Sequence, residues 1–168
     1  MKTDWSKVGK KSRRKGKAFE CELARLFRKI SGDNWQTSRN SGRTDIRGDI
    51  YCADYPNVMV ECKHRKSLTL KSMLNGTKIY TDTIDYITKD FLKYEHLDTL
   101  LIVMKTEHGI WVGSAVRCGK SKNVLLWMND CNPSPDENYL SIKGVPWLWL
   151  DKEEDAIKGF MKWLQTRI

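Results

Sequence analysis

The chain reads as an α/β domain with a mixed central sheet flanked by helices. Three observations predict this: a helical apolar stripe near the N-terminus, two short apolar segments joined by a turn signal, and one continuous apolar run that follows a second helical pattern. Over residues 16–30, Phe19, Leu23, Leu26, Phe27 and Ile30 fall at offsets 0, 4, 7, 8 and 11, which is one face of a helix. A strand through Gln36, Thr37 and Ser38 follows. Next come Ile50-Tyr51-Cys52-Ala53 and Val58-Met59-Val60, with Asp54-Tyr55-Pro56-Asn57 between them as a tight turn that folds one strand back on the other.

A helical region spans about residues 70–94, interrupted near Gly76. Its seam of Ile84, Ile87, Phe91 and Tyr94 sits at offsets 0, 3, 7 and 10, suited to cover the sheet or to meet a second subunit. Leu100-Leu101-Ile102-Val103-Met104 is a buried central strand, parallel to its neighbour after the helical crossover. Residues 110–116 and 124–128 are further strands, and 129–138, with Pro133 and Pro135, is a loop. Val145 to Leu150 places Trp147 and Trp149 on one strand face, for packing or for stacking on unpaired bases. Asp151 and Glu154 resemble a capping box that starts a last helix striped by Ile157, Phe160, Met161, Leu164 and Ile168.

A length of 168 residues suits one domain, expected over residues 16–168, after a basic, flexible arm over residues 1–15. The formal net charge is +9, and the first seventeen residues hold eight lysines and arginines against Asp4 alone. Such an arm can displace counterions from a nucleic-acid backbone and is too poor in apolar residues to anchor in a bilayer. No run of eighteen apolar residues exists and the basic N-terminus lacks a secretory apolar core, so no membrane is expected and the setting is cytoplasmic, in a prokaryote or a virus-infected cell. Five scattered cysteines argue against structural zinc and for reduced thiols.

The chemistry concentrates at Gly48-Asp49-Ile50 and Glu61-Cys62-Lys63. On a strand, Glu61 and Lys63 share a face that Cys62 does not, and Asp49 opens the strand folded against them. Two carboxylates and an amine side by side suit phosphodiester hydrolysis: hard oxygen ligands for Mg²⁺, and an ammonium to orient water and offset developing charge. Glu-x-Lys by itself is an ordinary strand ion pair, so the neighbours matter. Glu20 borders the apolar stripe of the first helix and can be directed at the sheet edge. The loop over 37–48 mixes small and hydroxylated residues with Arg39, Arg43 and Arg47, as suits contact with phosphates. Asp45 competes with Asp49 but lies within the loop rather than at a strand start. His64 falls on the face opposite Lys63 and is not expected to act as a base.

In this order of elements the chain resembles the PD-(D/E)xK nucleases, and within them the archaeal-type Holliday junction resolvases, small basic dimers also found in viruses of prokaryotes. The resemblance rests on the segment from Arg14 to Glu20, Ser-Arg-x-Ser-Gly at Ser38 to Gly42, and Glu61-x-Lys63 followed by more bases. It implies a restriction-endonuclease-like fold with an αβββαβ core and C-terminal strand and helix additions. It also implies Asp49, Glu61 and the Cys62 main-chain carbonyl as ligands of Mg²⁺, with Mn²⁺ as a substitute, Lys63 as the catalytic lysine and Glu20 as a further acid converging on the same ion. DNA contacts are expected from Lys10, Lys11, Arg13, Arg14, Lys15 and Lys17, from Ser38, Arg39, Ser41, Arg43 and Arg47, and from Arg65 and Lys66. Gly48 replaces the usual proline, a departure expected to matter little because that position is not a ligand.

The activity so implied is metal-dependent cleavage of branched DNA, most of all four-way junctions, by a homodimer in recombination or repair. Two alternatives stay open: a restriction-like or nicking nuclease on duplex DNA, and a non-catalytic nucleic-acid-binding protein that keeps the shape. A metal-dependent product separates the last from the others.

Overall fold

The structure is a computed structural model and describes residues 5–38, 48–65, 72, 75–106, 109–118, 124–127, 139–142, 145–150 and 153–166. Among the described residues, eight strands form one mixed sheet covered on both faces by three long helices, so the α/β, restriction-endonuclease-like class read from the sequence holds. Helix α1 (Trp5–Ser31) begins eleven residues before Gly16, where periodicity alone starts it. Residues 5–15 are therefore helical and continuous with the domain rather than separated from it at Gly16. Lysine and arginine are good helix formers and Gly16 costs only about 1 kcal/mol, so a basic segment without an apolar stripe still extends an established helix. The helix stops at Gly32, whose φ of 81° lets its N–H donate to the Arg28 carbonyl at 2.9 Å.

Strand β1 (Gln36–Thr37) pairs antiparallel with β2 (Ile50–Tyr51), and β2 pairs antiparallel with β3 (Val58–His64) through Ile50 opposite Val60. Helix α2 (Lys78–Leu92) crosses over to β4 (Thr99–Thr106), which runs parallel to β3 with Glu61 opposite Ile102 and Lys63 opposite Met104. Of the expected helical region, residues 70, 71, 73 and 74 lie outside the described residues. Strand β5 (Gly109–Cys118) turns back on β4 and pairs with two others: β6 (Val124–Trp127) at Ala115 to Cys118, and β8 (Val145–Leu150) at Ile110 to Val112. Strand β7 (Tyr139–Ile142) closes that edge, and α3 (Glu153–Gln165) follows. The expected loop over 129–138 lies outside the described residues, as do Asp151 and Ile168. The Trp147 and Trp149 side chains also lie outside what the structure describes.

Two cores hold the layers. Phe19, Leu23, Ala24 and Phe27 of α1 and Ile157, Phe160, Met161 and Leu164 of α3 cover Val58, Val60, Cys62, Leu101 and Val103 on one face. Tyr80, Ile84, Ile87 and Phe91 of α2 cover Met59, Leu100, Ile102 and Met104 on the other. The α2 seam thus packs on the sheet. Arg117 on β5 secures the end of α2 by donating to the Phe91 and Tyr94 carbonyls at 3.1 and 2.9 Å. The Glu154 carboxylate lies 3.1 Å from Lys158 and 3.6 Å from Lys29, tying α3 to α1.

Candidate active site

The alternation of β3 separates its end into two sets of side chains. Val58, Val60 and Cys62 enter the α1 side of the sheet and Met59 the α2 side, so Glu61 and Lys63 continue the Met59 face while Cys62 stays in the core. Asp49 reaches them from the adjoining strand because of what Gly48 does. At φ 85°, Gly48 turns the chain away from β3 just before β2 begins, and a Cβ built there would lie 2.7 Å from the Val60 carbonyl oxygen and 3.0 Å from its nitrogen. The Asp49 backbone still pairs, its N–H donating to Val60 O at 2.8 Å. Where the next ladder bond would fall, the Asp49 carboxylate takes the place of a main-chain acceptor: Cys62 N–H donates to Oδ2 at 2.8 Å. The expectation that Gly48 is of little consequence is therefore corrected. It is not a ligand, but it aims one.

Lys63 Nζ lies 2.7 Å from Glu61 Oε2 and 3.6 Å from Asp49 Oδ2, with side-chain exposures of 21, 13 and 20% respectively. Burial pushes Glu61 up to about 7, opposed by Lys63 and aided by Asp49. For Lys63, burial pulls down, but the Glu61 and Asp49 carboxylates together outweigh it and hold the ammonium above its ordinary value. Burial, with Asp49, Glu61 and Glu20 behind it, holds the Cys62 thiol well above the usual range, so it stays protonated and is no thiolate ligand.

Glu20 stands apart. It lies on α1, which covers the Cys62 face, whereas Glu61 and Lys63 occupy the other, and its carboxylate accepts from Lys17 Nζ at 2.7 Å. Among the described residues no group of three or more His, Cys, Asp or Glu side chains is placed to hold a metal ion, so Asp49 and Glu61 form a pair that Glu20 does not join. Lys17 also donates to the Ser38 carbonyl at 2.8 Å, and Ser38 N–H donates to Asp49 O at 3.0 Å. Ser38 is only 8% exposed, and its main chain links Lys17 of α1 to Asp49.

Lys10, Arg13, Arg14 and Lys15 are exposed on α1, and Arg65 is exposed after β3. The Lys11 side chain lies outside what the structure describes. Arg39, Ser41, Arg43, Asp45, Arg47 and Lys66 lie outside the described residues. His64 packs against Phe19, ring centroids 6.0 Å apart, on the face away from Lys63. Cys21, Cys52 and Cys62 are free thiols, and no described helix is long and apolar enough to cross a membrane.

The α/β fold with its mixed sheet and flanking helices is consistent with the PD-(D/E)xK nuclease superfamily. The chain belongs to the family described as "Phage putative PDDEXK endonuclease", whose model matches residues 11–108, from α1 through β4. It is accordingly a nuclease, with DNA as its substrate class. No match was found among curated proteins or among solved structures.

Proposed function

We propose that the chain is a Mg²⁺-dependent endodeoxyribonuclease that cuts branched DNA, four-way junctions above all, inside the cell during recombination or repair. One observation carries the reading: the Asp49 and Glu61 carboxylates meet at Lys63 on the sheet rim, at distances of 3.6 and 2.7 Å. The donor set fits a hard divalent ion. Both acids offer oxygen in a mostly desolvated place, and burial above all, with Asp49 beside it, is what raises Glu61, a cost that a bound cation would offset. In a strand the N–H and C=O of one residue point to the same side, so the Cys62 carbonyl is directed with its N–H toward Asp49 and supports a third ligand. When bound, Mg²⁺ supplies Lewis-acid polarisation of the phosphate and a more acidic water.

Each protein group then has a separate task. Asp49, fixed by Cys62 N–H, presents its remaining lone pairs outward. Glu61 supplies the second charge once deprotonated. Lys63, held charged by both acids, orients the attacking water and offsets negative charge as it builds on the phosphate oxygens. The basic turns of α1 and Arg65 hold the backbone in place.

The junction and the homodimer rest on the likeness to the resolvases, since cutting opposed strands needs two sites related by a two-fold axis. The test is cleavage with Mg²⁺ or Mn²⁺ of a synthetic four-way junction, a linear duplex and a single strand side by side. Paired symmetric nicks confined to the junction are expected, and equal cutting of the duplex would overturn the junction reading. Glu61→Gln should abolish product while binding persists. Retained cleavage in that variant would remove the site assignment.

A further inference from the structure

Helix α1 and the end of β3 flank a cleft of about 510 Å³, whose basic lining was given above only a general hold on the DNA backbone. Arg13, Lys15 and Gly16 form its helical side, and Lys63, His64 and Arg65 its strand side; no Asp or Glu is among its described lining residues. A volume of this order holds one ligand of drug or nucleotide size rather than a duplex. A wall of arginine and lysine without carboxylates selects for anionic oxygen, and guanidinium forks favour phosphate.

Gly16 adds an independent mark. Glycine inside a helix costs about 1 kcal/mol relative to alanine, yet a Cβ built at Gly16 would meet nothing within 4 Å. No packing within the described protein calls for glycine there. Bare backbone on a cleft wall instead permits close approach of a ligand. Lys63 borders the cleft and also contacts both acids, so the cleft and the carboxylate pair meet at that residue, on the rim of the sheet.

We propose that this cleft is a phosphate subsite, holding the backbone of the cut strand beside the carboxylate pair through Arg13, Lys15 and Arg65, with Gly16 as the flat wall beneath it. The proposal rests on the nuclease reading above. It deepens that reading by assigning the residues that set the strand's position without reading its bases.

The test is an NMR titration of the full chain with thymidine 3′,5′-bisphosphate, and with thymidine as the phosphate-free probe. Saturable shifts are expected at the amides of Arg13 to Gly16 and of His64 and Arg65 with the bisphosphate only. Arg65→Ala should weaken binding about tenfold. Gly16→Leu, which fills the wall with a good helix former, should weaken it at least as much, while Gly9→Leu on the same helix leaves it unchanged. Shifts confined to another surface, or unchanged affinity in Arg65→Ala and Gly16→Leu, overturn the subsite. Binding here without metal-dependent cleavage of any DNA would uphold the subsite and refute the nuclease reading. Cleavage whose KM is unmoved by both variants would refute the subsite alone.

Discussion

The carboxylate of Asp49 accepts the main-chain N–H of Cys62 at 2.8 Å, so one side chain completes a sheet and offers a ligand at once. The two roles separate by substitution. Asp49→Asn keeps an oxygen for Cys62 N–H and removes the charge. Asp49→Ala leaves a buried donor unpaired, at a cost of about 1–3 kcal/mol. Both variants should lose cleavage, but in urea denaturation only the alanine variant should fall by that amount. Equal destabilisation of the two would mean that the charge, not the hydrogen bond, holds the edge together.

Gly48 is the conformational partner of that bond. Gly48→Ala places a methyl 2.7 Å from Val60 O at a φ of 85°, and Gly48→Pro demands a φ near −65°. Each should cost more than about 2 kcal/mol and lower cleavage further than stability explains, because Asp49 is displaced. The proline usual in the wider nuclease pattern therefore cannot be restored here. A Gly48→Pro variant with wild-type melting and activity would contradict this account.

Much of this was legible in the sequence, for reasons tied to particular residues. The stripe from Phe19 to Ile30, the run from Leu100 to Met104 and the α2 seam are decided by burial, and burial leaves a periodic trace. The strand alternation around Glu61 and Lys63 is legible for the same reason. Gly48 was not, because a positive φ at one glycine has no periodicity and its meaning depends on Val60 in another strand. The helix start at Trp5 escaped because it depends on propensity without an apolar face. The partnership of Glu20 with Lys17 was hidden by the choice of α1's covering face, which a helical wheel does not reveal. Trp35, stacked at 5.5 Å on Tyr55 and 4.6 Å from Phe27, has no neighbouring pattern to announce it.

Glu61 makes stability fall as pH rises in the metal-free protein. Its carboxyl is raised from 4.5 to about 7, so the folded state keeps a proton that the unfolded chain releases. The resulting stabilisation is full below pH 4.5 and is lost as pH climbs through about 7, on the order of 3 kcal/mol for a side chain this little exposed. Lys63, shifted upward, stays charged throughout that window and contributes its own loss only above its ordinary value. Urea denaturation at pH 5 and pH 7.5 should show the fall in the wild type and not in Glu61→Gln. Calorimetric titration with Mg²⁺ at pH 6 should release close to one proton, with affinity levelling off above pH 7. A flat stability profile would remove the raised acid from the site.

Lys17 distinguishes an internal clamp from a DNA contact. Its ammonium is committed to Glu20 at 2.7 Å and to the Ser38 carbonyl at 2.8 Å, and through Ser38 it supports Asp49. The pair with Glu20 is partly exposed, the lysine by 45%, so Lys17→Met should lower stability by no more than about 1 kcal/mol. If the clamp positions the site, kcat should drop while KM holds, and Glu20→Gln added to Lys17→Met should not restore it, because Ser38 remains unpinned. A lysine occupied in this way releases no counterion from DNA, so the slope of log K against log salt should stay at its wild-type value. Arg13→Ala, by contrast, should lower that slope by about 1. A slope reduced by Lys17→Met with kcat intact would return this residue to the DNA-binding surface.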